Sequence, residues 1–174
     1  MPLYSHKGTV PILGKDTFVA PNATIIGDVA LGDEASVWFG VVIRGDVFPI
    51  RIGARTNIQD NAVVHVTGGK AKTTIGDDVT VGHLALIHGC TIGSRCLVGM
   101  GSIVLDNAIV EDECFIAAGA LVPPNMRVPS RSLAIGRPAK IIRKLEEADL
   151  AEIKNAGALY VQYARDFTTS VTQL

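Results

Sequence analysis

The chain has 174 residues and a formal net charge of −1, so it can form one domain with a substantial core and has no basic excess for nucleic acid. Apolar residues make up 48% and charged residues 19%, which is typical of a folded protein and excludes a disordered one. With no apolar run long enough to span a membrane, no signal peptide, and three cysteines without a CxxC pair, the sequence predicts a cytoplasmic protein with reduced thiols.

Aliphatic residues recur at every sixth position through most of the chain, beginning with Val19, Ile25, Leu31, Val37 and Ile43. The series is interrupted after Ile43 and after Val64, resumes at Ile52 and Ile75, shifts by one position at Ile92 and reaches Val122. This period fits neither an α-helix nor an alternating strand and is typical of a hexapeptide β-helix, in which stacked triangular coils bury the aliphatic side chains. A β-sandwich is the alternative, but its strand spacing would drift over so long a stretch. We predict an all-β solenoid, a parallel β-helix, over residues 1–140.

The last part of the chain has a different pattern. From Leu145 to Phe167 the apolar residues follow helical spacing, and acidic residues stand near its start, where a helix favours them. Pro138 marks the exit from the repeat. We therefore predict that residues 141–174 form a helical tail that packs on the β-helix and covers an exposed edge.

Two histidines occupy equivalent positions in the repeat. Aligning the hexads places Val64 and Ile87 in one interior column, and His65 and His88 follow these residues directly. Neighbouring strands lie about 4.8 Å apart, so the two imidazoles can converge on one metal ion with bonds of about 2.0–2.1 Å. The alternative for each histidine alone is an ordinary polar residue on the surface.

A third histidine, His83, belongs to a different column. It follows Val81 by two residues and is predicted to lie directly above Asp60, on another face of the prism. One metal ion therefore cannot reach all three histidines within one chain. A threefold assembly would bring His83 of one copy against His65 and His88 of the next at three equal interfaces.

The sequence resembles the gamma-class carbonic anhydrases, and in particular their members with shortened loops, in five segments: VVIRGDV (41–47), IGARTNIQD (52–60), VHVT (64–67), TIGDDVTVGH (74–83) and IHGCTIG (87–93). The resemblance covers the repeat and the terminal helix. It implies a left-handed β-helix and a homotrimer, and the handedness follows from the resemblance alone.

The resemblance also implies an activity, the reversible hydration of CO₂ to bicarbonate by a metal-bound hydroxide at each subunit interface. His65 and His88 of one subunit and His83 of its neighbour would bind the metal. Zn²⁺ is the default, and Fe²⁺ or Co²⁺ also suit a set of imidazole ligands.

Further site roles follow from the resemblance for seven polar residues. These are Arg44 and Asp60 as an intersubunit ion pair, Asp46 at the trimer interface, Asn57 and Gln59 beside the metal-bound water, and Asn155 and Tyr160 on the helix. Packing of the helix against the coil is the alternative role for Tyr160.

The sequence departs from the family archetype where that enzyme has carboxylates for proton transfer. Val47 replaces a glutamate after the RGD motif, and the loop TGGKAKT (67–73) has no carboxylate, so turnover is expected to be slow. The alternatives are a hexapeptide acyltransferase or a thioester hydrolase acting on acyl-CoA, and a metal-binding scaffold with little turnover. Cys96 and Cys114 should be neighbours on adjacent coils, as interior residues and not as a disulfide.

Overall fold

The structure, a computed structural model, describes residues 3–172. Most of these residues form the coils of a solenoid with short strands, and one long helix follows. The helix α1 spans Glu147–Ser170. The strands are β1 (Leu3–Tyr4), β2 (Ile12–Leu13), β3 (Phe18–Val19), β4 (Thr24–Leu31), β5 (Ser36–Val37), β6 (Val42–Ile52), β7 (Asn57–Ile58), β8 (Val63–His65), β9 (Thr73–Ile75), β10 (Thr80–Val81), β11 (Leu86–His88), β12 (Thr91–Ile92), β13 (Leu97–Val98), β14 (Ile103–Val104), β15 (Ile109–Val110), β16 (Phe115–Ile116), β17 (Leu121–Val122), β18 (Arg127–Val128), β19 (Ser132–Ile135) and β20 (Lys140–Lys144).

The strand pairing confirms the predicted hexad register. Parallel pairs stack the aliphatic residues into three buried columns, namely Leu31, Ile52, Ile75, Ile92 and Val110; Val37, Ile58, Val81, Val98 and Ile116; and Ile43, Val64, Ile87, Val104 and Val122. Burying each such side chain contributes about 1.5–3 kcal/mol, so the columns form the core. The fold class is confirmed as a parallel β-solenoid of about seven turns, and left-handed winding stays a prediction.

The two interruptions of the repeat have different structures. The first lies within β6, an 11-residue strand that carries Arg44 and Asp46 between two interior columns. The second is a short loop in which Thr67 and Ala71 form an antiparallel bridge. Both interruptions bring additional polar residues to the coils that hold His65 and His88.

The corners of the solenoid need a residue in the left-handed backbone region. At one corner this position is taken on successive coils by Asn61, Leu84 and Gly101, with φ of 59°, 61° and 65°. Glycine and asparagine tolerate such a φ, whereas leucine pays about 1–2 kcal/mol for it. Leu84, which directly follows His83, is therefore held in an unfavourable conformation.

The tail begins with a strand, which the sequence analysis did not predict. Residues Lys140–Lys144 form β20, which pairs antiparallel with β19 and so supplies hydrogen-bonding partners to the edge of that sheet. The predicted helix is confirmed over Glu147–Ser170, within three residues of its expected ends. The division of the chain at residue 140 stays a prediction. Among the residues described, no helix is long and apolar enough to cross a membrane.

The three cysteines are buried and free. Cys96 and Cys114 lie on adjacent coils, where the backbone N–H of Cys114 donates to Cys96 Sγ at 3.4 Å. The hydrogen bond with Cys114 and burial both raise the pKa of the Cys96 thiol, and burial raises the pKa of Cys90 to about 12. Cys96 and Cys114 are thus interior residues and not a disulfide, as predicted.

Candidate metal centre

His65 and His88 are paired residues on the adjacent strands β8 and β11, as the register predicted. His65 Nδ1 lies 3.1 Å from His88 Nε2. The other nitrogen of each ring faces an aspartate, with His65 Nε2 3.1 Å from Asp46 Oδ1 and His88 Nδ1 2.6 Å from Asp106 Oδ1. Each imidazole thus turns one nitrogen towards a carboxylate and the other towards its neighbouring imidazole.

This arrangement fits a metal ion bound between the two rings. A carboxylate only accepts hydrogen bonds, so each ring must donate its N–H to its aspartate. With both rings neutral, His65 Nδ1 and His88 Nε2 then face each other as unprotonated nitrogens 3.1 Å apart. Two nitrogens bound to one tetrahedral Zn²⁺ would be about 3.3 Å apart. The donor type and spacing therefore match two adjacent ligands of one metal.

Asp46 is the centre of a charged group beside His65. Arg44 donates to Asp46 Oδ2, while Asp46 Oδ1 faces His65. Burial raises the pKa of Asp46, but hydrogen bonds from Arg44 and His65 outweigh it and hold that pKa below its usual value. The carboxylate is therefore ionised at neutral pH and can keep accepting from His65.

His83 forms a separate half of the site. It follows β10 on the other sheet, and its Nδ1 lies 2.9 Å from Asp60 Oδ2. The N–H donated to Asp60 leaves Nε2 of the half-exposed ring available as a ligand. Across residues 3–172 no three His, Cys, Asp or Glu side chains of one chain form a metal site. We call His65 with His88 the paired half-site and His83 with Asp60 the single half-site.

Helix α1 brings Tyr160 to the single half-site. Tyr160 and Asp60 line a cavity of about 250 Å³ whose other walls are aromatic: Trp38, Phe39, Tyr163 and Phe167. Burial, and next the charge of Asp60, raise the pKa of Tyr160. The phenol is therefore protonated at neutral pH and can donate a hydrogen bond. Asn155, on the same helix, is exposed.

Asn57 and Gln59 form a buried polar chain on the coil next to His83. Gln59 Nε2 donates to Asn57 Oδ1 at 3.1 Å, and Asn57 Nδ2 donates to Thr80 Oγ1 at 2.9 Å. Both amides are thereby oriented within the chain. Neither of these hydrogen bonds uses Gln59 Oε1, which therefore remains able to accept one.

The predicted ion pair between Arg44 and Asp60 would join two subunits, and within one chain each residue has a different partner. Arg44 contacts Asp46, and Asp60 contacts His83. Arg44 thus belongs to the paired half-site and Asp60 to the single half-site. Their contact across an interface stays a prediction.

Proteins with similar sequences include carbonic anhydrases. Gamma carbonic anhydrase 2, mitochondrial, of Arabidopsis thaliana is 47% identical over 160 residues, which cover 89% of this chain and 58% of that protein. The chain thus spans little more than half the length of that relative. The carbonic anhydrase of Geobacillus kaustophilus is 45% identical over 160 residues, which cover 92% of this chain and 87% of the relative. The chain belongs to the gamma carbonic anhydrase family.

The hexapeptide repeat links the gamma carbonic anhydrase family to proteins with other names. The family described as bacterial transferase hexapeptide (six repeats) matches residues 11–45 and 89–124. The crystal structure of a hexapeptide transferase family protein from Anaplasma phagocytophilum has a TM-score of 0.92 and 42% identity, covering 95% of this chain and 98% of that chain. The fold is therefore shared, while the names of the relatives differ.

The sequence analysis missed Asp106, which faces the candidate metal ligand His88, and Thr67, which contacts Asp106. Asp106 follows Val104 by two residues, so the same register puts it on the coil next to Gly89, the residue after His88. Thr67 Oγ1 donates to Asp106 Oδ2 at 2.6 Å. The register could have located Asp106, whereas Thr67 lies in a loop outside the repeat.

Proposed function

We propose that the protein is a metal-dependent carbonic anhydrase that hydrates CO₂ reversibly at the subunit interfaces of a homotrimer. The observation that carries this proposal is the 3.1 Å approach of His65 Nδ1 to His88 Nε2, while the other nitrogen of each ring faces a carboxylate. The relatives named carbonic anhydrase support the same activity. Zn²⁺ is the expected metal, with Fe²⁺ or Co²⁺ as alternatives, and a cytoplasmic location stays a prediction.

The trimer is part of the proposal because each half-site is incomplete. The paired half-site has two imidazole nitrogens, while a catalytic zinc site of this type uses three protein ligands and an open position. His83 supplies the third nitrogen from a neighbouring subunit, and cyclic symmetry makes three identical sites. The same contact brings Asp60 of the neighbour towards Arg44, with Asp46 beside it.

The metal, when bound, supplies a Lewis acid that lowers the pKa of water to about 7. The chain's own residues do the rest. Gln59 Oε1 is free to accept a hydrogen bond from the attacking oxygen and so to orient it towards CO₂, because Asn57 holds the amide in place. Tyr160 lines the aromatic cavity beside Asp60, and its protonated phenol is a hydrogen-bond donor of that cavity wall.

Proton export is the step for which this chain is poorly equipped. Val47 is half-exposed at the position next to Asp46, and the loop 67–73 has lysines but no carboxylate. We therefore expect turnover to be slow and to increase with the concentration of a small buffer that accepts the proton from the site.

One observation favours a second function. His83 and Asp60 form a dyad, with Nδ1 held at 2.9 Å and Nε2 available, and such a dyad could act as the general base of an acyltransferase or a thioester hydrolase. The name of the Anaplasma relative is in keeping with a transferase. Three imidazoles are more than one base requires, so we rank this function second.

Stopped-flow CO₂ hydration by the zinc-loaded protein tests the proposal. We expect hydration by the native chain, a loss of about 100-fold or more in His83→Ala because a ligand matters more than its outer partners, and no change in His6→Ala. His6 is the matched control, since its backbone pairs with Thr9 and not with either half-site. Acetyl transfer from acetyl-CoA without CO₂ hydration would favour the second function. A zinc-loaded protein with neither activity would be a scaffold.

A further inference from the structure

Asp106 is the aspartate that faces His88, and its carboxylate joins the paired half-site to the loop 67–73. We infer that Asp106 is a positioning residue that fixes the tautomer and direction of the His88 ring, and that Thr67 holds Asp106 in place. The inference rests on the proposed function, because it concerns a ligand of the proposed metal site.

Both oxygens of Asp106 are engaged at short distances. Oδ1 lies 2.6 Å from His88 Nδ1, and Oδ2 accepts from Thr67 Oγ1 at 2.6 Å. Because Oδ2 already accepts from Thr67, Oδ1 is the oxygen placed to accept the N–H of His88 Nδ1.

The backbone around His88 is shaped to admit this carboxylate. Gly89, with φ of 58°, lies so close that a Cβ there would be 2.4 Å from Asp106 Oδ1. Asn107 N donates to Gly89 O at 2.7 Å and so ties the residue after Asp106 to the residue after His88. Any side chain at position 89 would push Asp106 away from the ring.

The loop 67–73 contacts residues of the paired half-site and its surroundings from both of its ends. Thr67, at one end, donates to Asp106. Thr73, at the other end, donates to the carbonyl of His65 at 2.6 Å and accepts from Gly89 N at 2.9 Å. The short loop therefore fixes the backbone beside His65, the turn at Gly89 and the carboxylate that faces His88. The sequence analysis considered this loop only for its lack of carboxylates.

The tautomer of His88 decides whether the ring can bind a metal. With Nδ1 protonated, Nε2 offers its lone pair towards His65, where the metal is proposed. The opposite tautomer would place a proton there and block coordination. Outer partners of this kind typically contribute 10–100-fold to metal affinity, about the effect that we expect from Asp106.

Two readouts test Asp106, namely zinc affinity by competition with a chromophoric chelator and the His88 tautomer by ¹⁵N NMR of the metal-free protein. We expect Asp106→Asn and Asp106→Ala to weaken zinc binding about 10–100-fold, and Thr67→Val to weaken it less. Asp112→Asn is the matched control, because Asp112 accepts from Ser94 N on a neighbouring coil and contacts no histidine. The native spectrum should show His88 protonated at Nδ1, and Asp106→Asn should shift it towards the Nε2–H form.

Native zinc affinity and an unchanged His88 tautomer in both Asp106 variants would overturn the inference. If the native chain binds none of Zn²⁺, Fe²⁺ and Co²⁺, the proposed function fails, and the NMR result still decides the role of Asp106. If the Asp106 variants do not fold, Thr67→Val decides, since it keeps the carboxylate and removes only its support.

Discussion

Each of the three site histidines has one ring nitrogen close to an aspartate. His65 faces Asp46 at 3.1 Å, His83 faces Asp60 at 2.9 Å, and His88 faces Asp106 at 2.6 Å. A neutral histidine that donates to its aspartate carries no proton on its other ring nitrogen. In the proposed metal centre the aspartates would thus select the ligand atoms within the single chain, before a neighbour or a metal is bound.

Leu84 gives a prediction at the residue scale. Leu84 has φ of 61° and is 67% exposed beside His83. Its backbone conformation is therefore unfavourable, and its side chain is little buried within one copy of the chain. We expect Leu84→Gly to relieve the backbone but to weaken each of the three interfaces of the proposed trimer about 10-fold, as the loss of one apolar contact of roughly 1.4 kcal/mol per interface would. Analytical ultracentrifugation measures the dissociation constant.

Asn61→Gly is the control for Leu84, because Asn61 has φ of 59° at the same corner one coil away. It relieves the backbone without removing an apolar side chain. A Leu84→Gly protein that assembles as tightly as Asn61→Gly would show that Leu84 has no role at the interface.

At the scale of elements, helix α1 is fixed to the solenoid by aromatic packing and by ion pairs. The Trp38 ring lies 5.3 Å from Tyr160 and 5.0 Å from Phe167, both with edge-to-face geometry. Arg165 also pairs with Glu34 at 2.5 Å. The helix therefore determines where Tyr160 stands relative to Asp60, so loosening the helix should affect the site.

The N-terminus of the helix predicts a pH dependence of stability. The hydrogen bond from Arg143, and next that from Glu146 N, lower the pKa of Asp149 to about 2. A lowered pKa means that the ionised carboxylate stabilises the fold above the unfolded value of about 3.9, and that this contribution disappears as the pH falls through about 2. Arg143 is exposed and Asp149 is partly covered at the surface, so solvent screens the pair and the effect is small.

Melting curves of Asp149→Asn between pH 7 and pH 2 measure this contribution. We expect a Tm a few degrees below that of the native chain at neutral pH, and a difference that vanishes near pH 2. Glu152→Gln, an exposed residue of the same helix, should show no such convergence. A difference that is constant with pH would mean that the charge of Asp149 does not stabilise the helix.

At the scale of the whole molecule, the repeat explains which features could be predicted from the sequence. A strict six-residue period decides which residues face inward and which lie above one another, so the pairing of His65 with His88 and of His83 with Asp60 followed from counting. The Arg44–Asp46 contact and the Thr67 hydrogen bond lie in the two interruptions, where there is no period to count.

The strand β20 escaped prediction for a related reason. Its residues Lys140–Lys144 have no hexad pattern and are exposed, and they become a strand because β19 offers an unpaired edge. The handedness of the solenoid and the identity of the partner subunit depend on how successive coils and neighbouring copies pack, and a six-residue period specifies neither.

The shared site is the central claim, and metal content in mixed trimers tests it most directly. His83→Ala lacks the single half-site, and a chain with His65→Ala and His88→Ala lacks the paired half-site, so neither should bind zinc alone. Random mixing in equal amounts makes three quarters of the trimers mixed, each with one intact interface, or about 0.25 zinc per subunit against about one in the native protein. A mixture that stays at zero, or either variant binding zinc alone as the native protein does, would contradict a site shared between subunits.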